Sequence, residues 1–370
     1  MRWTMVLLML LALGTGVSAQ DAGEVSIYCS LDQQFSEELL DLFSERTGIK
    51  VLKTFDTEAT KTVGLVNKII SEEGNPRCDV YWNNEVGQTI RLKNKSLLQP
   101  YVSPNAATIP ASFKSADGSW TGLAARARVI IYNKELFDAA DMKKLGLPSS
   151  LDDLKDRKWA GKLTMAKPLT GTTLTHAGAL FASWGETEAK KWIDDLRAND
   201  IYWSRGNAMV MRDVGAGRYA WGYTDTDDAN VSKLKGHPTD VIIPDQGEGQ
   251  RGTLVIPNSV MIIKNAKNLD NAKKLVDFIL SNEVEEKLAA GRSAQIPLHP
   301  GVKVPAGGLT LASIKAMPVD WEAVGKNISA HGDYLHTTFE NEGEGRTWPW
   351  VLGSILVVAV FITLGKRSAV

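Results

Sequence analysis

The fold class is decided by one stretch, EVSIYCSLDQQFSEELLDLFSERTGIKVLKTF, residues 24–55. It begins with a β-rich run at Glu24–Ser30 and ends with a second one, IKVLKTF. Between them four apolar residues recur at helical spacing before Gly48, namely Phe35, Leu39, Leu42 and Phe43. A helix between two strands indicates a βαβ unit with parallel strands and a right-handed crossover. We therefore predict an α/β protein with a parallel sheet.

The alternation of strands and helices continues along the body of the chain. An amphipathic helix at Thr57–Glu73 is followed by a strand at Cys78–Trp82, and a second series starts near Trp120. The body, Glu24–Glu342, is too long for one ordinary core, so we expect two lobes. The predicted lobes are residues 24–122 with 258–300, and residues 123–257 with 301–342. In such sheets the ligand site lies beyond the carboxyl ends of the strands.

Both ends of the chain carry signals for a membrane. Residues 1–19 combine a basic start, an apolar run and small residues, as in a secretory signal peptide that is removed after export. Residues 343–347 are a polar linker, and residues 348–364 contain no charge and precede Lys366 and Arg367. Such a stretch is at the lower limit of about 17 residues for a membrane-spanning helix. We predict a C-terminal transmembrane anchor, with a buried core helix as the alternative.

Composition excludes several classes of protein. The 42 basic and 43 acidic residues are interspersed and give a formal net charge of −1, which is unlike a nucleic-acid-binding surface. Cys29 and Cys78 fall at offset positions of parallel strands, so we expect two buried free thiols rather than a disulfide. The sequence contains neither an HExxH nor a GxSxG motif. We predict a protein that is not an enzyme, with a metal-dependent hydrolase as the remaining catalytic alternative.

Acidic residues cluster where a strand of the second lobe ends, in WGYTDTDDAN, residues 221–230. The carboxylates are those of Asp225, Asp227 and Asp228. In a dry cleft they would repel one another, so they require a metal ion or the ammonium group of an organic ligand. Arg126 and Arg128 alternate along a predicted strand and share one face. On a cleft face they would bind a carboxylate, phosphate or phosphonate, and on the outer face they would be solvated.

Seven segments occur in the order found in a known family. They are IYCSLDQQF, FSERTGIKV, DTEATKTVGLVNKII, CDVYWNNE, RARVIIYN, LPSSLDDLKDRKWAGKL and NSVMIIKNAKNLDNAKKLVDFILSNE. On these segments the chain resembles the extracellular solute-binding proteins of ABC importers, in particular the ferric-iron-binding branch. The resemblance covers residues 25–299 and implies two α/β lobes, a hinge of crossing strands and an inter-lobe cleft that closes on a small ligand. It also implies transport without chemical turnover, with permease and ATPase subunits as partners.

The resemblance assigns ligand positions, and one of them departs from the family pattern. The iron branch binds Fe(III) with two adjacent tyrosines of the second lobe. Here Asp225 and Thr226 occupy that place, and Tyr223 lies two residues earlier. The family's ligand positions in the first lobe fall on Asp32 and on Asn84 or Glu85. Fe(III) is a hard cation that prefers oxygen ligands, which carboxylates also offer.

The family also holds a small anion at a helix N-terminus of the second lobe, and KPLTGTTLTHAG fits that place. Thr170, Gly171 and Thr172 lie at the start of an apolar-periodic helix. Unpaired backbone N–H groups and the helix dipole favour an anion there. Plain N-capping by the same residues is the alternative interpretation.

We therefore predict an exported, membrane-tethered substrate-binding component of an ABC transporter that binds ferric iron or a metal–oxyanion complex in the inter-lobe cleft, outside the cytoplasm. The alternatives are a binding protein for a small organic zwitterion or anion such as an aminophosphonate, and an anchored ligand sensor. No cofactor is expected; Fe(III) would be the transported ligand. The predicted ligand-binding residues are Ser30, Asp32, Asn84, Glu85, Arg128, Thr170, Gly171, Thr172 and Tyr223, with Asp225 and Asp227 as metal ligands.

Overall fold

A mixed sheet of ten strands organises the computed structural model, which describes residues 23–57, 60–340 and 342. The strands are β1 (Glu24–Cys29), β2 (Lys50–Phe55), β3 (Val80–Asn83), β4 (Leu98–Gln99), β5 (Thr121–Asn133), β6 (Leu163–Ala166), β7 (Tyr202–Ser204), β8 (Trp221–Asp225), β9 (Thr239–Ile242) and β10 (Val255–Ile263). Their order is β2-β1-β3-β10-β5-β8-β6-β7, with β4 beside β10 and β9 beside β5. The half around β1–β3 is called lobe 1 below, and the half around β6–β8 lobe 2.

Helices alternate with these strands, as the sequence predicted. They are α1 (Gln33–Thr47), α2 (Val63–Ser71), α3 (Gly87–Asn94), α4 (Lys134–Asp138), α5 (Ala140–Leu145), α6 (Gly171–Trp184), α7 (Glu186–Ala198), α8 (Asn207–Gly215), α9 (Thr226–Leu234), α10 (Leu269–Ile279), α11 (Asn282–Ala290) and α12 (Trp321–Phe339). β1 pairs in parallel with β2 and β3, and β6 pairs in parallel with β7 and β8. The parallel pairing expected from the first βαβ unit is therefore confirmed.

Apolar side chains cover both faces of the sheet. Successive side chains of a strand point to opposite faces. Accordingly Ile27 and Tyr28 enter different apolar clusters, and so do Tyr81 and Trp82. A sheet buried on both faces is typical of an α/β fold with parallel strands.

Two long strands cross between the lobes. β5 pairs with β10 through residues 121–127 and with β8 and β9 through residues 128–133. β10 also pairs with β3 of lobe 1. The β5–β10 ladder shifts its register between Pro257 and Asn258, and Ala124 has a φ of 30°, which is uncommon for a residue with a side chain. The crossing point is thus the place where the ladder is irregular.

Helix α12 packs against both lobes and was not predicted from the sequence. A Cβ on Gly178 of α6 would lie 2.6 Å from Ile328 Cγ1 of α12. A Cβ on Gly325 of α12 would lie 2.4 Å from Ile90 Cβ of α3. Glycine allows both approaches because it has no Cβ. The segment that the sequence assigned to lobe 2 therefore also contacts lobe 1, and the exact lobe boundaries stay a prediction.

One predicted helix is wrong, and the prediction for the thiols is confirmed. The apolar residues of 271–290 recur at helical spacing, which predicts one helix, but α10 ends at Ile279 and α11 begins at Asn282. Ser281 Oγ accepts a hydrogen bond from the backbone N–H of Val284 at 3.3 Å, so a capping residue starts a new helix inside the apolar pattern. Cys29 and Cys78 are both free and buried.

The predicted membrane signals lie outside the described residues. These are the signal peptide at residues 1–19, the linker at residues 343–347 and the anchor at residues 348–364. Within the part of the chain that the structure describes, every helix is too short or too polar to cross a membrane.

Candidate ligand-binding cleft

A cleft opens at the carboxyl ends of the parallel strands, where the sequence placed the ligand site. It combines four carboxylates, four cationic side chains and the first turns of helices from lobe 2. From lobe 1 and β5 the lining residues are Asp32, Lys61, Asn84 and Arg126. From lobe 2 they are Ala166, Lys167, Thr170, Gly171, Thr172, Thr173, Arg205, Gly206, Asn207, Asp225, Asp227 and Asp228.

Arg128 and Asp225 form a buried ion pair inside lobe 2. Arg128 Nη1 lies 2.6 Å from Asp225 Oδ1, and the two side chains are 0% and 4% exposed. Thr172 Oγ1 and Asn207 Nδ2 donate hydrogen bonds to Asp225 Oδ2. The Arg128 guanidinium also lies over the Tyr223 ring, 4.9 Å from its centroid. A buried charge needs a partner and hydrogen bonds, and both oxygens of this carboxylate have them.

Arg126 is buried where the two lobes and the crossing strands meet. Its Nε lies 3.2 Å from Asp227 Oδ2 in lobe 2. Its Nη1 donates to the backbone oxygen of Asn84 at 2.8 Å, and its Nη2 donates to Asn258 Oδ1 at 3.2 Å. Arg126 and Arg128 therefore share one face of β5, as predicted, and this face meets the acidic cluster rather than solvent.

Two carboxylates of the cleft have pKa values shifted in opposite directions. Burial raises the pKa of Asp227 to about 6, with Asp225 adding to the rise and Arg126 opposing it. Burial would also raise the pKa of Asp32, but its ion pair with Lys61 holds that pKa below the usual value. Asp227 therefore changes its charge near pH 6, while Asp32 stays ionised well below that pH.

The acidic cluster has the spacing of a metal site but already contains cations. Ligand oxygens of Asp225, Asp227 and Asp228 lie within 4.8 Å of one another. Arg126 and Arg128 contact two of these three carboxylates. Two unit charges of like sign about 4 Å apart repel by about 4 kcal/mol at an effective dielectric constant of 20. A multivalent metal ion bound to these carboxylates would therefore be repelled by the guanidinium groups.

A second part of the cleft is built from helix N-termini. α6 begins at Gly171 and α8 at Asn207, and the first backbone N–H groups of a helix have no acceptor within the helix. Thr170, at the N-cap of α6, makes no side-chain capping hydrogen bond, so plain N-capping does not explain this residue. Lys167 and the exposed Arg205 line the same cleft. Backbone donors, helix dipoles and two cations together favour an oxyanion here.

Four predicted site residues do not line the cleft, namely Ser30, Glu85, Arg128 and Tyr223. Tyr223 is 2% exposed and lies beneath Arg128. The carboxylate of Glu85 is fully buried and accepts hydrogen bonds from Thr175 Oγ1 of α6 and the backbone N–H of Gln88. Burial raises the pKa of Glu85. The contact that Glu85 makes in the structure is between the lobes, and a direct role of these four residues in binding stays a prediction.

The lining residues that the sequence analysis missed include Lys61, Arg205 and Asn207. Asn207 follows β7 and begins α8, which is the same strand-end and helix-start pattern that pointed to Thr170–Thr172. That pattern could have found Asn207. Lys61 precedes α2 in an irregular segment, and only the folded chain brings it to Asp32.

The family of this chain is shown by its similarity to known proteins. A family model described as bacterial extracellular solute-binding protein matches residues 87–327. The chain belongs to this family. This chain is 25% identical to iron uptake protein A2 of Synechocystis sp. over 314 residues. The alignment covers 82% of this chain and 86% of that protein. The recognition made from seven sequence segments is therefore confirmed.

Two further matches concern another relative and a solved structure. A putative 2-aminoethylphosphonate-binding periplasmic protein of Salmonella typhimurium is 25% identical over 320 residues, which covers 84% of this solute-binding protein and 89% of that relative. The crystal structure of iron-bound HitA from Pseudomonas aeruginosa matches with a TM-score of 0.74 and 23% identity, over 85% of this chain and 98% of that chain. The structural match shows the fold, which is the two-lobed α/β fold of periplasmic binding proteins.

Proposed function

We propose that this protein is the substrate-binding component of an ABC importer and that its cargo is a small zwitterion with an oxyanion at one end and an ammonium group at the other. An aminophosphonate is the simplest such molecule. One observation carries the proposal: the acidic cluster holds its own counter-charges, because Arg126 pairs with Asp227 and Arg128 with Asp225.

The charge of the cluster favours a monovalent cation. When Asp227 is ionised, the carboxylates of Asp225, Asp227 and Asp228 carry three negative charges, and the two arginines carry two positive ones. Fe(III) would add three positive charges beside these two arginines in a largely buried site, which is costly, whereas an ammonium group would add only one.

The oxyanion end would lie at the N-termini of α6 and α8. A phosphonate carries up to two negative charges, and the cleft offers Lys167 and Arg205 beside the backbone donors of Gly171 and Thr172. Lobe 1 contributes Asp32 and Asn84 to the same cleft. A ligand that contacts both lobes binds the closed state more tightly than the open one and therefore shifts the protein toward closure.

Ferric iron with an accompanying oxyanion is the second candidate. The three carboxylates have oxygens within 4.8 Å of one another, and iron uptake protein A2 is among the relatives. Arg126 and Arg128, which pair with two of these carboxylates, would repel the metal ion. The adjacent tyrosines of the iron branch are absent, so carboxylates would have to replace phenolates.

The location and the partners follow from the family and the two chain ends. Residues 1–19 would direct export, and residues 348–364 would tether the protein to the outer face of the membrane. A tether raises the effective concentration of the binding protein near its membrane partner. We propose a permease with its ATPase subunit as that partner.

Titration calorimetry on the purified protein, with elemental analysis for bound iron, tests the cargo. The probes are 2-aminoethylphosphonate, inorganic phosphate and ferric citrate. We expect 2-aminoethylphosphonate to bind with micromolar affinity, about −8 kcal/mol, and more tightly than phosphate. Asp228→Asn should weaken the binding of 2-aminoethylphosphonate but not that of phosphate. Asp270→Asn, a change at a side chain that is 92% exposed, should alter the binding of neither. Stoichiometric iron without binding of the zwitterion would replace this proposal with the second candidate.

A further inference from the structure

Arg126 makes contacts in three separate parts of the molecule. In lobe 1 it donates to the backbone oxygen of Asn84, which directly follows β3. On crossing strand β10 it donates to Asn258 Oδ1. In lobe 2 it forms the ion pair with Asp227, at the start of α9. The side chain is 2% exposed, so water does not screen these contacts and each is electrostatically stronger than it would be at the surface.

Asn258 connects this guanidinium to the irregular part of the crossing strands. Its Nδ2 donates to the backbone oxygen of Ala124 and, at 2.7 Å, to Gln295 Oε1. The register shift of the β5–β10 ladder lies directly before Asn258, and Ala124 has the unusual φ of 30°. A side chain that fixes Asn258 therefore also fixes the backbone at the crossing point.

Glu285 holds the same crossing point from the other side. Its buried carboxylate accepts hydrogen bonds from the backbone N–H groups of Ala124 at 2.6 Å, Leu298 at 3.0 Å and His299 at 2.8 Å. The backbone N–H of Ala125 donates to the oxygen of Ile296 at 2.6 Å. Glu285 and Asn258 thus both hydrogen-bond to the backbone of Ala124 on the crossing strands, and only Asn258 also contacts Arg126.

We propose that Arg126 is the residue that couples the cleft to closure of the two lobes. A group that binds at Asp227 changes the field and the position of the guanidinium, whose other two donors hold Asn84 and Asn258. Arg126 Nε lies 3.2 Å from Asp227 Oδ2 and makes no hydrogen bond to any residue that the structure describes, so a small movement could add a hydrogen bond to lobe 2. Arg126 is a positioning residue in this role. The coupling rests on the proposed clamp function but not on the identity of the cargo.

Arg128 is the matched control, because its contacts stay within lobe 2. Its hydrogen bonds go to Thr172, Thr173, Asn207 and Asp225. Arg126→Lys and Arg128→Lys both keep the positive charge and both lose the fork of donors. Only the first change removes hydrogen bonds to lobe 1 and to β10.

The experiment measures the distance between spin labels on the two lobes in the full chain without cargo. Labels at Lys95→Cys and Lys235→Cys occupy exposed positions after α3 and α9. The native thiols are buried, and burial raises the pKa of both, so they compete little for the label. Arg126→Lys should lower the closed-to-open ratio about 100-fold, because each of two lost hydrogen bonds to a charged group contributes roughly a tenfold factor. Arg128→Lys should change the ratio less than threefold.

A second variant separates coupling from simple loss of stability. Asn258→Ala keeps Arg126 and its contact with Asn84 but removes the connection to Ala124. We expect it to lower the same ratio about tenfold, with a melting temperature close to that of Arg128→Lys. Equal shifts for Arg126→Lys and Arg128→Lys, or an unchanged ratio in Arg126→Lys, would overturn the proposal. Because no cargo is present, these results stand apart from the test of the proposed function.

Discussion

Arg126 and Arg128 lie two residues apart on one face of β5, and each pairs with an aspartate of the same short segment, yet their surroundings differ. Arg128 pairs with Asp225, and its other hydrogen bonds go to residues of lobe 2 such as Thr172 and Asn207. Arg126 pairs with Asp227 and extends to lobe 1 and β10. The reason is the sheet: β5 leaves β10 after residue 127 and joins β8 at residue 128. The ion pair of Arg128 therefore stabilises lobe 2, whereas that of Arg126 is placed to couple the two lobes.

The largest expected difference between the pairs is in the free energy of unfolding. Asp225→Ala leaves Arg128 fully buried without a counter-charge, and breaking such a pair costs about 3–5 kcal/mol. Asp227→Ala should cost less, because Arg126 keeps its acceptors on Asn84 and Asn258. Urea unfolding of both variants measures the difference. Equal losses would mean that the two pairs are equivalent and that the comparison fails.

The pH dependence of stability should separate the pairs next. The pKa of Asp227 is raised from 3.8 to about 6 in the folded protein. Between these values the folded state binds more protons than the unfolded chain, so this contribution to stability is complete below about pH 4 and is lost as the pH rises through about 6. The loss is at most about 3 kcal/mol, since one pKa unit corresponds to about 1.4 kcal/mol.

The measurement is urea unfolding between pH 4 and 7 for the wild type and Asp227→Asn. The variant cannot titrate at this position, so the part of the slope that belongs to Asp227 should disappear. The groups facing Asp227 are Arg126, Asp225, Asp32 and Lys61. An unchanged slope in Asp227→Asn would show that another of these groups, or a group elsewhere, causes the dependence.

The smallest effect concerns two threonines of α6 that donate to different buried carboxylates. Thr175 donates to Glu85 across the lobes, and Thr172 donates to Asp225 within lobe 2. Replacement of either by Val should cost about 1–2 kcal/mol, because a buried carboxylate loses a donor. Only Thr175→Val should also lower the closed fraction in the spin-label experiment. A similar loss of closure in Thr172→Val would contradict the division into contacts within and between lobes.

Much of the fold was predictable because it depends on local patterns. Strand and helix signals in residues 24–55 predicted the parallel pairing of β1 and β2, and the offset of Cys29 and Cys78 predicted free thiols. The predictions failed where local signals compete or are weak. Ser281 divides an apolar pattern into two helices, and α12 packs closely against α6 at Gly178 and, through its own Gly325, against α3.

The sequence by itself determined the α/β class, the family and the place of the acidic residues at a strand end, because these depend on periodicity, segment order and the geometry of parallel sheets. Only the tertiary structure decided what those acids contact. The structure shows that Asp225 and Asp227 each lie against an arginine of β5, and their role as metal ligands stays a prediction. The pairing of distant strands sets such contacts, because it brings β5 beside β8 although the two strands are far apart in the sequence.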